Sequence, residues 1–110
     1  MSNSKTQAKT EQELYINFIR KTVLKSLNID YNTLKSYKDE FIFIEALKIV
    51  TTTKKAVCIA FDLNLENMCR YKRKLENVNL LKQTKRKQYC RYTGHLAHYL
   101  TTNTKLINNR

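Results

Sequence analysis

Asn67, Arg70, Tyr71, Arg73 and Lys74 fall within eight consecutive residues, and from Arg70 to Arg91 nine Lys or Arg stand against a single acid, Glu76. An arginine fork matches the O6 and N7 acceptors of guanine, an asparagine amide matches the N6 and N7 edge of adenine, and lysine neutralises phosphate as a point charge. Arg70, Arg73 and Lys74 are three and four apart, so on a helix they share one outward arc and enter a major groove together. Arg70 is then placed for guanine, and Asn67, one turn earlier, for adenine. Tyr71 sits near the edge of that arc, where its ring can pack and its hydroxyl can reach a phosphate. Further on, Lys85, Arg86 and Lys87 put three cations at one point of the chain, which suits backbone or minor-groove contact. The plainer reading of both runs is a solvated charged face.

Other chemistry finds less support. Cys90, His95 and His98 have short spacing, but no Cys-x-x-Cys pair accompanies them and a fourth zinc ligand would have to come from Cys58, Cys69 or an acid, so no metal site is expected. The single glycine, Gly94, cannot build a phosphate-cradling loop, and neither a Ser-His-Asp set nor paired carboxylates emerge at a suggestive spacing. The expectation is a non-enzymatic protein without cofactor.

The elements that must position these side chains are read from caps and periodicity. The expected arrangement is a disordered tail over residues 1–9, one domain over 10–103 and a tail over 104–110. Thr10-Glu11-Gln12-Glu13 has the form of a capping box, and Leu14, Phe18, Ile19, Val23 and Leu27 recur with helical spacing, predicting an amphipathic helix over 10–28 closed by a left-handed Asn28. The segment 31–37 is ambiguous, with a short helix as one reading. Asp39 and Glu40 place negative charge at the start of a run with Phe41, Ile44, Ala46, Leu47 and Val50, a core helix over 39–50. Phe41 to Ile44 alone would also fit a strand, but the helix formers from Glu45 to Lys48 favour the helix.

Thr53 caps the next predicted helix, 53–61, which buries Val57, Cys58 and Phe61. Lys54 and Lys55 in its first turn are poorly placed against the helix dipole unless an anion docks beside them, so both are candidate phosphate contacts. Asp62 tolerates positive φ, and Asn64 caps a third helix, 64–78, with Met68 and Leu75 inward and Asn79 as left-handed terminator. Residues 80–102 then read as a basic hairpin, with Leu96, His98 and Leu100 alternating with Ala97, Tyr99 and Thr101.

Phe61-Asp62-Leu63-Asn64 followed by Leu75-Glu76-Asn77-Val78-Asn79-Leu80-Leu81 resembles a winged helix-turn-helix DNA-binding domain. In that family the turn often reads Leu-Gly-Ile-Ser, and the recognition helix ends Leu-Glu-x-x-Gly-Leu-Ile. Asp62 and Asn79 replace the two glycines, and they are the residues that take positive φ with least strain after glycine. The stretch from Gly94 to Thr101 is similar to the strand that returns from the wing, and the ending Tyr99-Leu100-Thr101-Thr102-Asn103 resembles small proteins of phages and mobile elements. The resemblance covers residues 39–103 and implies a mainly α fold with a small β-hairpin, a winged helix-turn-helix carrying an extra N-terminal helix. It implies double-stranded DNA as partner, through Lys54, Lys55, Asn67, Arg70, Tyr71, Arg73, Lys74, Lys85, Arg86 and Lys87, and a sequence-specific transcriptional regulator as function. The alternative it allows is a phage or mobile-element structural or assembly protein that uses the same fold to hold protein partners.

Composition agrees with a polyanionic partner. Of 110 residues 21 are Lys or Arg and 9 Asp or Glu, a formal charge of +12, while residues 10–50 are balanced, so the excess is concentrated after residue 50. A chain of this length holds one core and no deep enzymatic cleft beside it. No apolar run approaches the ~18 residues of a membrane helix, so no membrane partner is expected. Three cysteines without a secretory signal point to a reducing cytoplasm, which is the bacterial host's if the chain is phage-encoded. Monomer or dimer stays open; the helix over 10–28 is the natural element for a homodimer, which predicts a two-fold operator with half-sites about one helical turn apart.

Overall fold

The computed structural model describes residues 3–103 and Lys105, with side chains from Glu11 onward. Among the described residues there are five helices, α1 (Asn3–Leu27), α2 (Tyr31–Lys35), α3 (Asp39–Ile49), α4 (Lys54–Phe61) and α5 (Leu65–Asn77). Four two-residue strands follow, β1 (Lys82–Gln83), β2 (Gln88–Tyr89), β3 (Leu96–Ala97) and β4 (Leu100–Thr101). The fold is mainly helical with a small antiparallel hairpin. No helix of the described residues is long and apolar enough to cross a membrane.

Three of the four longest helices end in the same way. Asn28 (φ 58°), Asp62 (φ 54°) and Asn79 (φ 62°) are all left-handed. In each case the next residue donates its amide five residues back: Ile29 to Leu24 O (3.2 Å), Leu63 to Cys58 O (2.8 Å) and Leu80 to Leu75 O (2.8 Å). This is the Schellman closure, and its apolar residues on both sides of the bond also follow the motif. The N-termini obey local chemistry as well: Thr53 accepts from the Ala56 amide (3.3 Å) and Asn64 from the Asn67 amide (2.9 Å). The ambiguous segment is the short helix α2. Its cap Asp30 accepts from the Thr33 amide at 2.7 Å, and hydrogen bonds from the Thr33 hydroxyl and amide hold its carboxyl below the ordinary value. A depressed folded pKa adds stability above the unfolded value and loses it as pH falls through the folded one. Asp30→Ala should therefore be less stable than the parent near neutral pH, with the gap closing as pH falls through the folded value; urea titrations over a descending pH series test this.

The N-terminus departs from expectation. Helix α1 begins at Asn3, so Thr10 lies inside it rather than at its cap, and residues 3–9 are helix rather than disordered tail. Lys5, Gln7, Ala8 and Lys9 are good helix formers with no Gly or Pro among them, so the helix runs through the capping-box sequence. Residues 1–2 and, Lys105 aside, the tail expected over 104–110 lie outside the described residues. The buried face of α1 is also rotated. Tyr15, Ile16, Ile19 and Val23 enter the core, whereas Leu14 and Phe18 stay 62% and 54% exposed. Tyr15 can be buried because its hydroxyl is paired with that of Thr52.

Helix α3 contributes Ile42, Phe43, Ala46 and Leu47 to the centre of the core, while Phe41, expected inside, is largely exposed and tilts against the Tyr37 ring at 4.9 Å. Helix α4 lies against α1, α3 and α5. Its last carbonyls receive two cations: Arg20 Nε donates to Ala60 O (2.5 Å), and Lys35 Nζ to Phe61 O (2.7 Å) and Asp62 O (3.2 Å). These satisfy groups that a helix C-terminus otherwise leaves open, with the charge the dipole favours there.

The hairpin is offset in the middle. Lys82 pairs with Thr101 and Gln83 with Leu100, but Gln88 pairs with Ala97 and Tyr89 with Leu96. Between these pairs the outgoing arm holds Thr84 to Lys87 and the returning arm only His98 and Tyr99, so the outgoing arm carries two extra residues and bulges. His98 and Leu100 consequently do not continue a simple alternation from Leu96, which is 55% exposed. The link between α3 and α4 joins the sheet, since Leu100 N donates to Thr52 O at 2.7 Å. Thr102 Oγ1 and Asn103 Nδ2 donate to Ile44 O (2.6 Å) and Lys48 O (3.3 Å), tying the returning arm to α3.

Candidate nucleic-acid interface

Helix α5 turns Met68 and Leu75 into the core and leaves Asn67, Arg70, Arg73 and Lys74 exposed. The inner pair is seven residues apart, so the four polar side chains occupy the opposite arc. Tyr71 is half-buried at its margin. Its ring meets Phe43 edge-on at 6.3 Å, and burial, then the nearby Glu40 charge, raises its pKa. Lys72, on the inner side of Arg73, is bridged to Glu76 at 3.2 Å. That bridge uses one of the two acids of α5, the other being Glu66 in its first turn, and leaves Arg70, Arg73 and Lys74 outside it.

The two lysines of α4 divide. Lys55 is exposed, whereas Lys54 is half-buried and donates from Nζ to Cys69 Sγ at 2.7 Å, linking the start of α4 to α5. Beside them opens a cavity of about 340 Å³ between α4, α5 and the hairpin, lined by Thr53, Lys54, Lys55, Lys72, Gln83, Cys90, Thr93, His95, Ala97, His98 and Leu100. Three lysines and a helix N-terminus face it, and none of its lining residues is acidic. An anion docked there would offset the adverse placement of Lys54 and Lys55 on the dipole. Lys72, Gln83 and Thr93 belong to this cavity although the sequence did not mark them, and Cys90, His95 and His98, weighed there only as metal ligands, line it too. The available signal was the adverse placement of Lys54 and Lys55 on the helix dipole, and it does not say which distant residues close the wall.

Lys85, Arg86 and Lys87 are exposed, but they occupy the bulge of the outgoing arm rather than the hairpin tip. The tip is Arg91 to Gly94, closed by Gly94 N to Cys90 O (2.8 Å) and Cys90 N to His95 O (2.8 Å), with Gly94 at φ 77°. It folds onto α1: Gln12 Nε2 donates to Tyr92 O (2.7 Å), and the Arg91 guanidinium lies 5.1 Å from the Tyr15 ring centre.

The chain matches no family model, no curated protein and no solved structure. The reading of this surface therefore rests on its own residues.

The cysteines pack. Burial pushes the Cys58 thiol up to about 12, against the lowering influence of Lys54. For Cys90 burial also acts upward, but hydrogen bonds from Thr53, Thr93 and Tyr92 outweigh it and its pKa lies below the ordinary thiol value. Its Sγ is 3.0 Å from Thr53 Oγ1, which fixes the hairpin beside its tip against the start of α4. Among the described residues no three of His, Cys, Asp or Glu gather in a metal-holding group.

Proposed function

We propose that this chain is a winged helix-turn-helix domain that binds double-stranded DNA in a sequence-specific way and regulates transcription for a phage or mobile element, in the cytoplasm of its host. The observation that carries the reading is the exposed arc of α5, with Asn67, Arg70, Arg73 and Lys74 on the helix that follows a three-residue turn around left-handed Asp62. In this reading α5 enters the major groove, with Arg70 on guanine and Asn67 on adenine. Lys55, with the cavity beside it, and the cationic bulge from Lys85 to Lys87 hold the flanking phosphates. Lys54 acts there by holding the start of α4 to α5, and Tyr71 by seating the recognition helix on Phe43.

Selection of bound fragments from random duplex DNA tests the proposal directly, and an enriched motif is expected. Arg70→Ala should weaken the enriched site by about 1–3 kcal/mol and relax preference at one base position, with little effect on random DNA. Lys55→Ala should weaken both DNAs alike and reduce the salt slope by about 1. Equal losses for the two variants on both DNAs would point to non-specific binding.

One observation favours the second reading, an assembly protein holding a protein partner. Tyr89 and Leu96 face each other across the hairpin and are 72% and 55% exposed, an apolar pair on a small sheet that DNA contact does not require. Binding to heparin only at low salt, with no DNA fragment enriched, would favour that role.

A further inference from the structure

The outward face of α1 carries Glu11, Leu14, Phe18, Lys21 and Lys25, all exposed. Their spacing of three and four residues is that of a heptad seam. Leu14 and Phe18 are 62% and 54% exposed although they sit in the middle of a 25-residue helix whose opposite side buries Tyr15, Ile16, Ile19 and Val23. Of the apolar face that the sequence offers for dimerisation, Ile19 and Val23 are buried within the chain, so only Leu14 and Phe18 remain open to a partner.

Its charge order is self-complementary. An acid stands before the apolar pair and cations after it. When two such helices run antiparallel about a two-fold axis, each residue of one meets a different residue of the other, and the reverse contact repeats it. Setting the first seam position of one helix against the second of its mate brings Leu14 opposite Phe18 twice and Glu11 opposite Lys21 twice. The apolar centre is thereby closed at both ends by opposite charges. A cleft lined by Glu11, Leu14, Tyr15, Phe18 and Arg91 borders the stripe, where the hairpin tip rises beside α1, and offers the facing phenylalanine a concave seat.

We infer that the outward stripe of α1 pairs antiparallel with the same stripe of a second copy of this chain, with Leu14 against Phe18 and Glu11 against Lys21. A parallel pair would set Glu11 on Glu11 and Lys21 on Lys21, which like-charge repulsion opposes. Two apolar residues per copy make a small interface, so the dimer is in exchange with monomer at micromolar concentrations or above. The inference does not depend on DNA binding, and its test uses no DNA.

Sedimentation equilibrium of the full chain over a concentration series should approach twice the 13.1 kDa chain mass. Phe18→Ser should return it to monomer with the circular dichroism spectrum and unfolding midpoint retained, because Phe18 lies outside the core. Glu11→Lys and Lys21→Glu should each weaken association at least about tenfold, and the two together should restore it, as expected when one contact repeats across a two-fold axis. A chain that stays monomeric throughout, or single charge reversals that associate like the parent, would overturn the pairing. Rescue of Glu11→Lys by Lys25→Glu in place of Lys21→Glu would overturn this register.

Discussion

Phe61→Ala is expected to destabilise the fold by about 3–5 kcal/mol, the range found when a fully buried aromatic is cut back to a methyl group. Phe61 ends α4, has no exposed surface, and stacks on the Tyr31 ring at 6.4 Å. It thus joins α4 to the short helix α2, whose Leu34 is buried in the same core. Its removal leaves a cavity at a point where the backbone is already tied, since Lys35 bonds the Phe61 carbonyl and Asp62 must keep its left-handed turn. Collapse into the cavity is therefore restricted, which places the cost toward the upper part of the range. For a domain with a total stability of about 5–15 kcal/mol this is a large fraction. Urea unfolding should show a midpoint shift at unchanged slope. Ile59→Ala, two residues earlier but 41% exposed, should lose well under half as much. Equal shifts for the two variants would mean that Phe61 is not the core residue described.

Affinity for duplex DNA should fall about a thousandfold when salt is raised from about 50 to about 200 mM. With Arg70 assigned to a base, six exposed cations remain for phosphates: Lys55, Arg73, Lys74, Lys85, Arg86 and Lys87. Each neutralised phosphate of a duplex releases about 0.9 counterion, so the logarithm of affinity should fall against that of salt with a slope of about -5. Fluorescence anisotropy of a labelled duplex over a salt series measures it. A slope near zero would remove the basis for the DNA reading, because no arrangement of these cations on a phosphate backbone escapes counterion release. A slope of about -3 would mean that one of the two cation groups, the α5 arc with Lys55 or the hairpin bulge, does not reach the backbone.

The polar arc of α5 was legible in the sequence because it depends on one helix only. Once Asn64 caps it and Met68 and Leu75 mark its inner side, Asn67, Arg70, Arg73 and Lys74 can only lie opposite. The cavity beside Lys55 was not legible, since its walls come from α4, α5 and both arms of the hairpin. The bulge that holds Lys85, Arg86 and Lys87 was hidden for a related reason. Hairpin register is set by pairing across the arms, and a turn built around Gly94 leaves the basic run in the outgoing arm.

By itself the sequence determined the local backbone of this protein: caps at Thr53 and Asn64, left-handed closures at Asn28, Asp62 and Asn79, and helices between them. These follow from sterics and hydrogen bonds within five residues, which no distant partner needs to supply. Only the tertiary structure decided which side of α1 is buried and where the hairpin rests. Both depend on contacts between residues far apart in the chain, Tyr15 with Thr52 and Gln12 with Tyr92, 37 and 80 positions away. Leu14 and Phe18 are as apolar as Ile16 and Ile19, so hydrophobic spacing alone gives α1 two admissible faces. The hydroxyl that Thr52 offers to Tyr15 accompanies the burial of one of them, and the other, with Leu14 and Phe18, stays exposed.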